Sequence, residues 1–373
     1  MRVQTRQLTD NLNLFMCIQC GKCTGGCPLA TITGFNLRRL IYDLLVEDKI
    51  EVNGEALWDC SNCYTCDSRC PKDVHPAEAI IKLRGHLVEA GRVPRTVGQA
   101  LTSVFRNANP FEMPRAERAA WANDLSLKNA LQEPVEVLYF AGCMPSYEPR
   151  LQPVARALVK VMTTAGIEVG TLGDAEGCCG SEVRRMGEQG LFEMIVEEAE
   201  EQFAAVKAQR MITTSPHCLD VFKHQYPFLN FPVQHYSQFV ASLVQEGRLT
   251  FNGRINKQVT YHDPCYLGRK NQIFDEPRAI LQAISGIELV EMDRCRETSL
   301  CCEGGGGRMW FDGTNPGQRL SHDRVRQALA TGAEVLATAC PFCLMTLTDA
   351  VTVLGLEEQI VVKDIIELVL EAM

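Results

Sequence analysis

The sequence HDPC at residues 262–265, CCEGGGG at 301–307 and CPFC at 340–343 places five cysteines in three groups within one stretch of the chain. A zinc site usually takes four ligands in two separated pairs. The adjacent Cys301 and Cys302 are poorly placed to bind one small ion, because neighbouring side chains diverge, but they can reach two metals of a larger cluster. The stretch therefore predicts an iron–sulfur cluster with more thiolates than the usual four.

An incomplete copy of this stretch lies upstream. Three of its cysteines precede their counterparts by 122 to 125 residues: Cys143 precedes Cys265, Cys178 precedes Cys301, and Cys218 precedes Cys343. Agreement at three positions indicates that the second part of the chain is a duplicated unit.

The copy departs from the second unit at its last group, which reads Ser215-Pro216-His217-Cys218. Four cysteines remain in the first unit: Cys143, Cys178, Cys179 and Cys218. Serine is a poor iron ligand unless it is ionised, so an ordinary four-thiolate cluster, an altered cluster and no cluster are all open for this unit. His217 is either a substitute ligand or a structural residue.

Composition suits a multidomain protein of the cytoplasm. The chain has 373 residues, enough for two or three domains, and 46% of them are hydrophobic. Its net charge of −9 disfavours nucleic acid as a partner, because nucleic-acid-binding surfaces are generally basic. Residues 1–14 lack the apolar core of a signal peptide, and no run approaches the ~20 apolar residues of a membrane helix. We therefore predict a cytoplasmic protein with no transmembrane segment of its own, which can still dock on the cytoplasmic face of a membrane through a partner subunit.

Cysteine usage points to metal. The chain has 18 cysteines, and a disulfide framework is not expected in a compartment that keeps thiols reduced. The spacing C-x2-C-x2-C-x3-C-P, typical of cubane [4Fe–4S] clusters, occurs at residues 17–28 and again at 60–71. In such runs the fourth cysteine binds the cluster of the other run. We assign one cluster to Cys17, Cys20, Cys23 and Cys70, and the other to Cys60, Cys63, Cys66 and Cys27. Zinc is the weaker alternative.

Hydrophobic periodicity predicts the elements around these groups. Residues 37–45 and 80–88 carry apolar side chains at helical spacing, so residues 1–92 are predicted to form an all-α module, followed by a helical connector at 93–133. Residues 134–252 and 253–373 alternate strands and helices, with the cysteines just after strands or in loops, where α/β folds build their sites. Residues 361–369 are predicted to be one amphipathic helix, which packs on its own unit or docks a partner.

The pattern Cys-x34-Cys-Cys-Gly at 143–180 and Cys-x35-Cys-Cys-Glu-Gly at 265–304, each followed by a cysteine group with proline, resembles the CCG domains of heterodisulfide reductases. With the two cubane runs in front, most of the chain resembles the D-type subunit of these enzymes. The resemblance implies an α/β protein with an N-terminal α-helical ferredoxin module that holds two [4Fe–4S] clusters, followed by two duplicated CCG domains.

The resemblance also implies a site. In the family, CCG clusters are the non-cubane [4Fe–4S] site that cleaves a disulfide, which assigns that role here to Cys265, Cys301, Cys302, Cys340 and Cys343. His262 and Arg269 are candidates to orient or charge-pair the substrate; the alternatives are a histidine that holds its loop and an arginine that holds the fold. Glu303 stands where the family usually has glycine, so the local backbone is expected to differ. The run Gly304–Gly307 is expected to let the backbone approach a cluster or its substrate, rather than to bind phosphate.

Three functions follow as expectations. The first is an oxidoreductase subunit that reduces or forms a disulfide at the second-unit cluster, fed by the two cubanes. The second is a pure electron conduit from a flavin dehydrogenase to quinone or a membrane cytochrome, as in the iron–sulfur subunits of anaerobic glycerol-3-phosphate dehydrogenase and glycolate oxidase. The missing cysteine at Ser215 favours this alternative. The third is a redox sensor or scaffold. Flavin-containing or cytochrome b-type subunits and a thiol or disulfide substrate are the implied partners.

Overall fold

The computed structural model describes residues 2–4, 12–51, 54–315 and 317–373. The prediction that residues 1–14 do not form a signal peptide concerns a segment that lies mostly outside these ranges. Among the described helices, none combines the length and the apolar character needed to cross a membrane.

The N-terminal module is built from short helices around two cysteine loops. A 3₁₀ turn at Leu14–Met16 precedes α1 (Lys22–Gly26), α2 (Ala30–Thr33) and α3 (Leu37–Val46), and after residue 53 come α4 (Gly54–Asp59), α5 (Thr65–Ser68) and α6 (Pro76–Glu89). Helix α3 begins after Asn36, whose side chain accepts a hydrogen bond from the Arg39 amide at 3.0 Å. Pro76 opens α6, where its missing N–H would have had no helical partner.

The prediction of an all-α module needs one correction. Strand β1 (Arg2–Gln4) pairs in the antiparallel direction with β2 (Lys49–Glu51). Along β2 only Ile50 is buried, between two exposed charged residues, which is the alternation of a half-buried strand. Three residues are too few for this pattern to stand out in the sequence.

The connector contains α7 (Arg95–Asn107) and 3₁₀ turns at Arg115–Glu117 and Ala120–Ala122. Near its end lies β3 (Lys128–Asn129), which pairs in parallel with a strand of the first α/β unit. The sheet of that unit therefore begins before residue 134, where the repeated sequence pattern starts.

The first unit is a five-stranded parallel sheet with helices between its strands. After β3 come β4 (Val135–Phe140), α8 (Cys143–Tyr147), α9 (Gln152–Thr164), β5 (Val169–Thr171), α10 (Ser181–Arg185), α11 (Gln189–Ala204), β6 (Ala208–Thr213), α12 (Pro216–Gln225), β7 (Val233–His235) and α13 (Tyr236–Gln245), with a 3₁₀ turn at Gly173–Ala175. The strand order is β3-β5-β4-β6-β7. Central strand β4 is almost continuously buried, as expected for a parallel sheet covered on both faces.

The second unit repeats this plan with four parallel strands. Its elements are β8 (Lys257–Tyr261), a π turn at Tyr266–Lys270, α14 (Asp275–Ala283), β9 (Ile287–Val290), a 3₁₀ turn at Arg296–Thr298, α15 (Leu320–Leu329), β10 (Val335–Thr338), α16 (Pro341–Val353), β11 (Val361–Asp364) and α17 (Ile365–Ala372). The strand order is β11-β10-β8-β9.

The predicted helix at 361–369 was therefore wrong in its first part. Val361 and Val362 belong to β11 and pair with Val335 and Leu336 of β10, because β-branched residues suit a pleated surface. The helix begins only after Asp364, whose carboxylate accepts a hydrogen bond from the Ile366 amide at 3.0 Å.

The two α/β units share one hydrophobic core. Leu158 and Leu243 of the first unit and Leu281 and Ile366 of the second are all fully buried within it. Polar contacts cross the same boundary: Arg150 pairs with Glu367 through two bonds of 2.9 and 3.0 Å. The two units therefore pack against each other through both apolar and charged contacts.

One buried arginine joins all three parts of the chain. Arg84 of α6, 0% exposed, donates to the carbonyl oxygens of Leu57 and Cys60 in its own module. It also donates to the carbonyl oxygens of Arg185 in the first unit at 3.0 Å and Gly306 in the second at 2.9 Å. Burial lowers the pKa of Arg84 to about 10, which still leaves it charged at neutral pH.

Replacing Arg84 should loosen the docking of the module on both units. An Arg84→Ala variant would leave several buried carbonyls without a donor, at about 1–3 kcal/mol for each group. We expect a lower midpoint of thermal unfolding and faster proteolytic cleavage in the connector. Arg106→Ala, which removes an exposed arginine from α7, is the matched control and should change neither measurement. Equal stability of both variants would contradict the role of Arg84.

Candidate metal centre

The first ferredoxin site gathers cysteines from both runs. Cys17, Cys20, Cys23 and Cys70 line one small cavity. The loop turns tightly between the first two cysteines and α1, because Gln19 and Gly21 both adopt left-handed backbone conformations. Two N–H groups donate hydrogen bonds to sulfur: Gln19 Nε2 lies 3.3 Å from Cys17 Sγ, and the Val74 amide lies 3.4 Å from Cys70 Sγ.

The second ferredoxin site is more deeply buried. Burial, together with the nearby thiols of Cys63 and Cys60, raises the pKa of Cys27 to about 12. Burial and the same two neighbours raise the pKa of Cys66 well above its ordinary value. Cys27 therefore lies with the cysteines of the second run, and Cys70 with those of the first, in the crossed arrangement that the spacing predicts.

The second α/β unit brings its five cysteines together with His262. One ligand atom each of His262, Cys302 and Cys343 lies within 4.8 Å of the other two, and the sulfurs of Cys302 and Cys343 are 3.2 Å apart. Contact with Cys265 raises the pKa of Cys301 well above its ordinary value. Cys340 contacts Cys343 and contributes to the raised pKa of that thiol.

His262 is held in one orientation at this site. Its Nδ1 accepts a hydrogen bond from Arg324 Nε at 3.0 Å, so the ring proton lies on Nε2 when the histidine is neutral. Burial lowers the pKa of His262, while the contact with Cys302 opposes that change. A neutral, oriented imidazole next to Cys302 can donate a hydrogen bond to its thiolate.

The second-unit site touches the second ferredoxin site directly. Cys301 Sγ lies 3.4 Å from Ser61 Oγ, and contact with Cys301 lowers the pKa of Cys63. All three residues are buried. The loop of residues 60–66 thus places two cysteine sites side by side in the dry interior.

Arg269 lies between these two sites rather than in an open cleft. It donates to the carbonyl oxygens of Cys63 and Ser299, each at 2.8 Å. Burial opposes its charge, but the thiols of Cys63, Cys265 and Cys301 raise the pKa of Arg269. The guanidinium is therefore placed to join the module to the second unit and to balance negative charge on both sites.

The first unit also assembles its four cysteines. One cavity is lined by Ser215, His217 and the four first-unit cysteines Cys143, Cys178, Cys179 and Cys218. The sulfurs of Cys179 and Cys218 are 3.2 Å apart. Contact with Cys178, together with burial, raises the pKa of Cys143. The four thiols converge as a cluster would require, although the motif is incomplete.

A buried ion pair supports this site from the connector. Arg118 Nη2 lies 3.0 Å from Glu176 Oε1 and 3.5 Å from Cys143 Sγ. Glu176 in turn accepts hydrogen bonds from the amides of Ala141 and Gly142 at 3.0 and 2.9 Å. The pair thus fixes the turn that carries Cys143 at the end of β4.

Comparisons with known proteins agree with this geometry. A 4Fe-4S dicluster domain model matches residues 13–74, and the CCG cysteine-rich domain model matches residues 137–223 and 259–348. Over the whole chain the sequence is 30% identical to the D-type subunit of the dihydromethanophenazine:CoB–CoM heterodisulfide reductase of Methanosarcina barkeri, 97% of which is covered. This chain belongs to the family of CCG-domain iron–sulfur proteins that resemble the D-type subunit of heterodisulfide reductase.

Other members of this family are longer. The chain is 31% identical to the probable iron–sulfur-binding oxidoreductase FadF of Bacillus subtilis and 35% identical to the EtfAB:quinone oxidoreductase of Syntrophomonas wolfei. The alignment with FadF covers 100% of this chain and 61% of that protein. The alignment with the EtfAB:quinone oxidoreductase covers 90% of this chain and 48% of that protein. A solved hypothetical protein of Helicobacter pylori shares the fold alone, with a TM-score of 0.56 at 10% identity, over 99% of this chain and 72% of that one.

The backbone at Glu303 has the left-handed conformation of Gly180, its counterpart in the first unit. Gly180 of the first unit has a φ of 74°, and Glu303 keeps the same left-handed conformation at 66° despite its side chain. Glu303 is fully buried, accepts from Arg308 at 2.8 Å and from the Leu320 amide at 2.6 Å, and these contacts offset the strain. The expectation of a different backbone at this position was wrong.

The glycine run after the CCG signature packs on the ferredoxin module. A Cβ atom on Gly306 would lie 2.8 Å from the Ser61 carbonyl carbon and 3.0 Å from the Cys60 carbonyl oxygen. Close backbone approach was the expected use of these glycines, but the group approached is the cysteine loop of residues 60–62.

Residues outside the cysteine motifs complete these sites. Arg84, Arg118 and Arg324 are buried, and each binds partners that lie far away in the sequence. No local pattern marks them, because an arginine in a helix or loop usually reads as a solvated residue. The one usable signal applies to Arg84 and Arg324, which lie among apolar residues on the buried faces of their helices.

The crossed ligand sets can be tested with paired variants. Cys27→Ala should remove iron from the same cluster as Cys63→Ala, because Cys27 lies with the second run. Cys70→Ala should instead remove iron from the same cluster as Cys20→Ala, because Cys70 lies with the first run. The electron paramagnetic resonance (EPR) spectra of the reduced proteins, with an iron count, compare the two pairs. Matching of Cys27→Ala with Cys20→Ala would show that each run holds its own cluster.

Proposed function

We propose that this protein is the iron–sulfur subunit of a heterodisulfide reductase-like complex, in which the second-unit site reduces or forms a disulfide. The observation that carries the proposal is the 3.4 Å approach of Cys301 Sγ to Ser61 Oγ, in the loop that also carries Cys63. A five-cysteine site in direct contact with a ferredoxin site is suited to receive electrons one at a time and to use them at sulfur.

The donor sets fit iron–sulfur clusters. Thiolates are the ligands that such clusters use, and four groups of converging cysteines are available. We propose two cubane [4Fe–4S] clusters in the module, a non-cubane cluster in the second unit and a further cluster in the first. When bound, these clusters would carry single electrons and offer an iron to a substrate sulfur. Reduction of a disulfide takes two electrons and two protons, breaks the S–S bond and yields two thiols.

The surrounding residues are placed to tune this chemistry. Arg269 brings a positive charge close to Cys63, Cys265 and Cys301, which favours added negative charge on reduction. His262 can donate to the Cys302 thiolate, because Arg324 occupies its other ring nitrogen. In this proposal both residues position and stabilise the site, and neither needs to touch the substrate.

A second candidate is an electron conduit between a flavin-containing partner and a quinone or membrane cytochrome b-type subunit. Burial favours it: Cys301, Cys302, Cys340 and Cys343 are each no more than 4% exposed, which restricts the access of a substrate. The name of the relative that acts on EtfAB and quinone fits the same role. In either case redox partner subunits complete the complex, on the cytoplasmic side of the membrane if one of them is membrane-bound.

The two candidates differ in their response to thiols. The anaerobically purified, oxidised protein would be examined by EPR with and without small thiols and disulfides. We expect a new paramagnetic signal on thiol addition, because a substrate sulfur would bind the second-unit site. The signal should disappear in Cys301→Ala and persist in Cys295→Ala, which removes a half-buried cysteine outside the ligand set. Cubane signals that no thiol perturbs would favour the conduit.

A further inference from the structure

Ser215 occupies the place that a cysteine ligand holds in the other unit. It follows β6 and immediately precedes α12, which opens with Pro216. Cys340 follows β10 and immediately precedes α16, which opens with Pro341. Both residues have extended backbone conformations, so the two side chains leave equivalent positions of the duplicated fold.

The hydroxyl of Ser215 is not used by the protein around it. A serine before a helix normally accepts a hydrogen bond from an amide of the first turn. Ser215 makes no such bond, although it is only 3% exposed. Within the described part of the chain its Oγ has no hydrogen-bond partner at all. An unpaired buried hydroxyl is destabilising, so a missing partner is indicated.

The cavity that Ser215 lines is the one formed by the four first-unit cysteines. We propose that Ser215 Oγ is an iron ligand, so that the first-unit cluster has four thiolates and one oxygen donor. The hydroxyl would lose its proton on binding, as the thiols do. The proposal rests on the cluster proposed for the first unit, but not on disulfide chemistry.

His217 is the competing substitute for the missing cysteine, and its contacts leave only Nε2 to bind iron. Its Nδ1 lies 3.1 Å from Glu182 Oε1 and 2.5 Å from Arg185 Nη2. Its ring stacks on Phe342 of the second unit with the centroids 4.5 Å apart. These contacts hold the imidazole at the boundary between the two units, where it serves packing and hydrogen bonding.

An oxygen ligand would make the two units chemically different. Cluster potentials depend on the ligands and on the hydrogen bonds to them. Oxygen is a harder donor than sulfur, so one iron of the first-unit cluster would differ from every iron of the second. The duplicated units would then hold two centres of different potential.

Reciprocal variants test this ligand. Ser215→Ala, Ser215→Cys and Cys340→Ser would be purified anaerobically without substrate and compared with the unmodified protein by Mössbauer spectroscopy, EPR and iron count. We expect the unmodified protein to show one iron site with the higher isomer shift of an oxygen ligand. Ser215→Ala should lose that site, Ser215→Cys should convert it to an all-sulfur site, and Cys340→Ser should create a second one.

Ser146→Ala is the matched control, because its buried hydroxyl already donates to the Gly142 carbonyl oxygen at 2.9 Å. It should leave all spectra unchanged, and intact cubane signals in every variant would show that the chain has folded. Identical spectra and iron content for Ser215→Ala and the unmodified protein would overturn the proposal. If a small thiol is then added to the same samples and changes none of the spectra, the disulfide function is contradicted and the Ser215 result still stands.

Discussion

The buried charge of Arg84 is the constraint on which the arrangement of the sites depends. A guanidinium can be buried only if its donors are satisfied, and here the acceptors come from the ferredoxin module and both α/β units. Two of these acceptors, the carbonyls of Cys60 and Gly306, belong to a cysteine loop and to the glycine run of the CCG signature. Satisfying one arginine therefore brings the second ferredoxin site against the second-unit site, and the distance between them is set by hydrogen bonds rather than by a flexible linker.

The order of the sites follows from this docking. Cys20 of the first ferredoxin site is exposed, whereas Cys63 and Cys66 of the second are buried. Cys63 contacts Cys301 of the second unit inside the protein. The ring of Phe342 in the second unit stacks on the ring of His217 in the first. The cysteine sites thus form a series that begins near the surface and passes through the dry interior, an arrangement suited to moving electrons between partners that never meet.

Much of this could be predicted from the sequence, because cysteine spacing and hydrophobic period are local signals. The duplicated plan, helices α3, α6, α9 and α11 and the grouping of Cys27 with the second run were all predictable. Strands β1, β2 and β3 were not, because two or three residues are too few to show a period, and the residues of β11 were predicted as the first turn of a helix. Arg84 and Arg118 were missed for another reason: their bonds join residues far apart in the chain. Glu303 keeps a backbone that suits glycine because buried partners compensate, and those partners are visible only in three dimensions.

Duplication lets the two units diverge, and their surroundings differ in a consistent direction. The second unit has five cysteines and lies against the ferredoxin loop. Four of its thiols are buried. The first unit has one cysteine fewer, and Cys178 and Cys179 border an open groove between α7 and α11. Exposed Phe105 and Met194 belong to the apolar lining of this groove. The second-unit site can therefore take electrons directly from the ferredoxin site, which its proposed disulfide chemistry needs. The altered ligand set of the first unit occurs where the site borders a groove, so the two units differ in their surroundings as well as in their ligands.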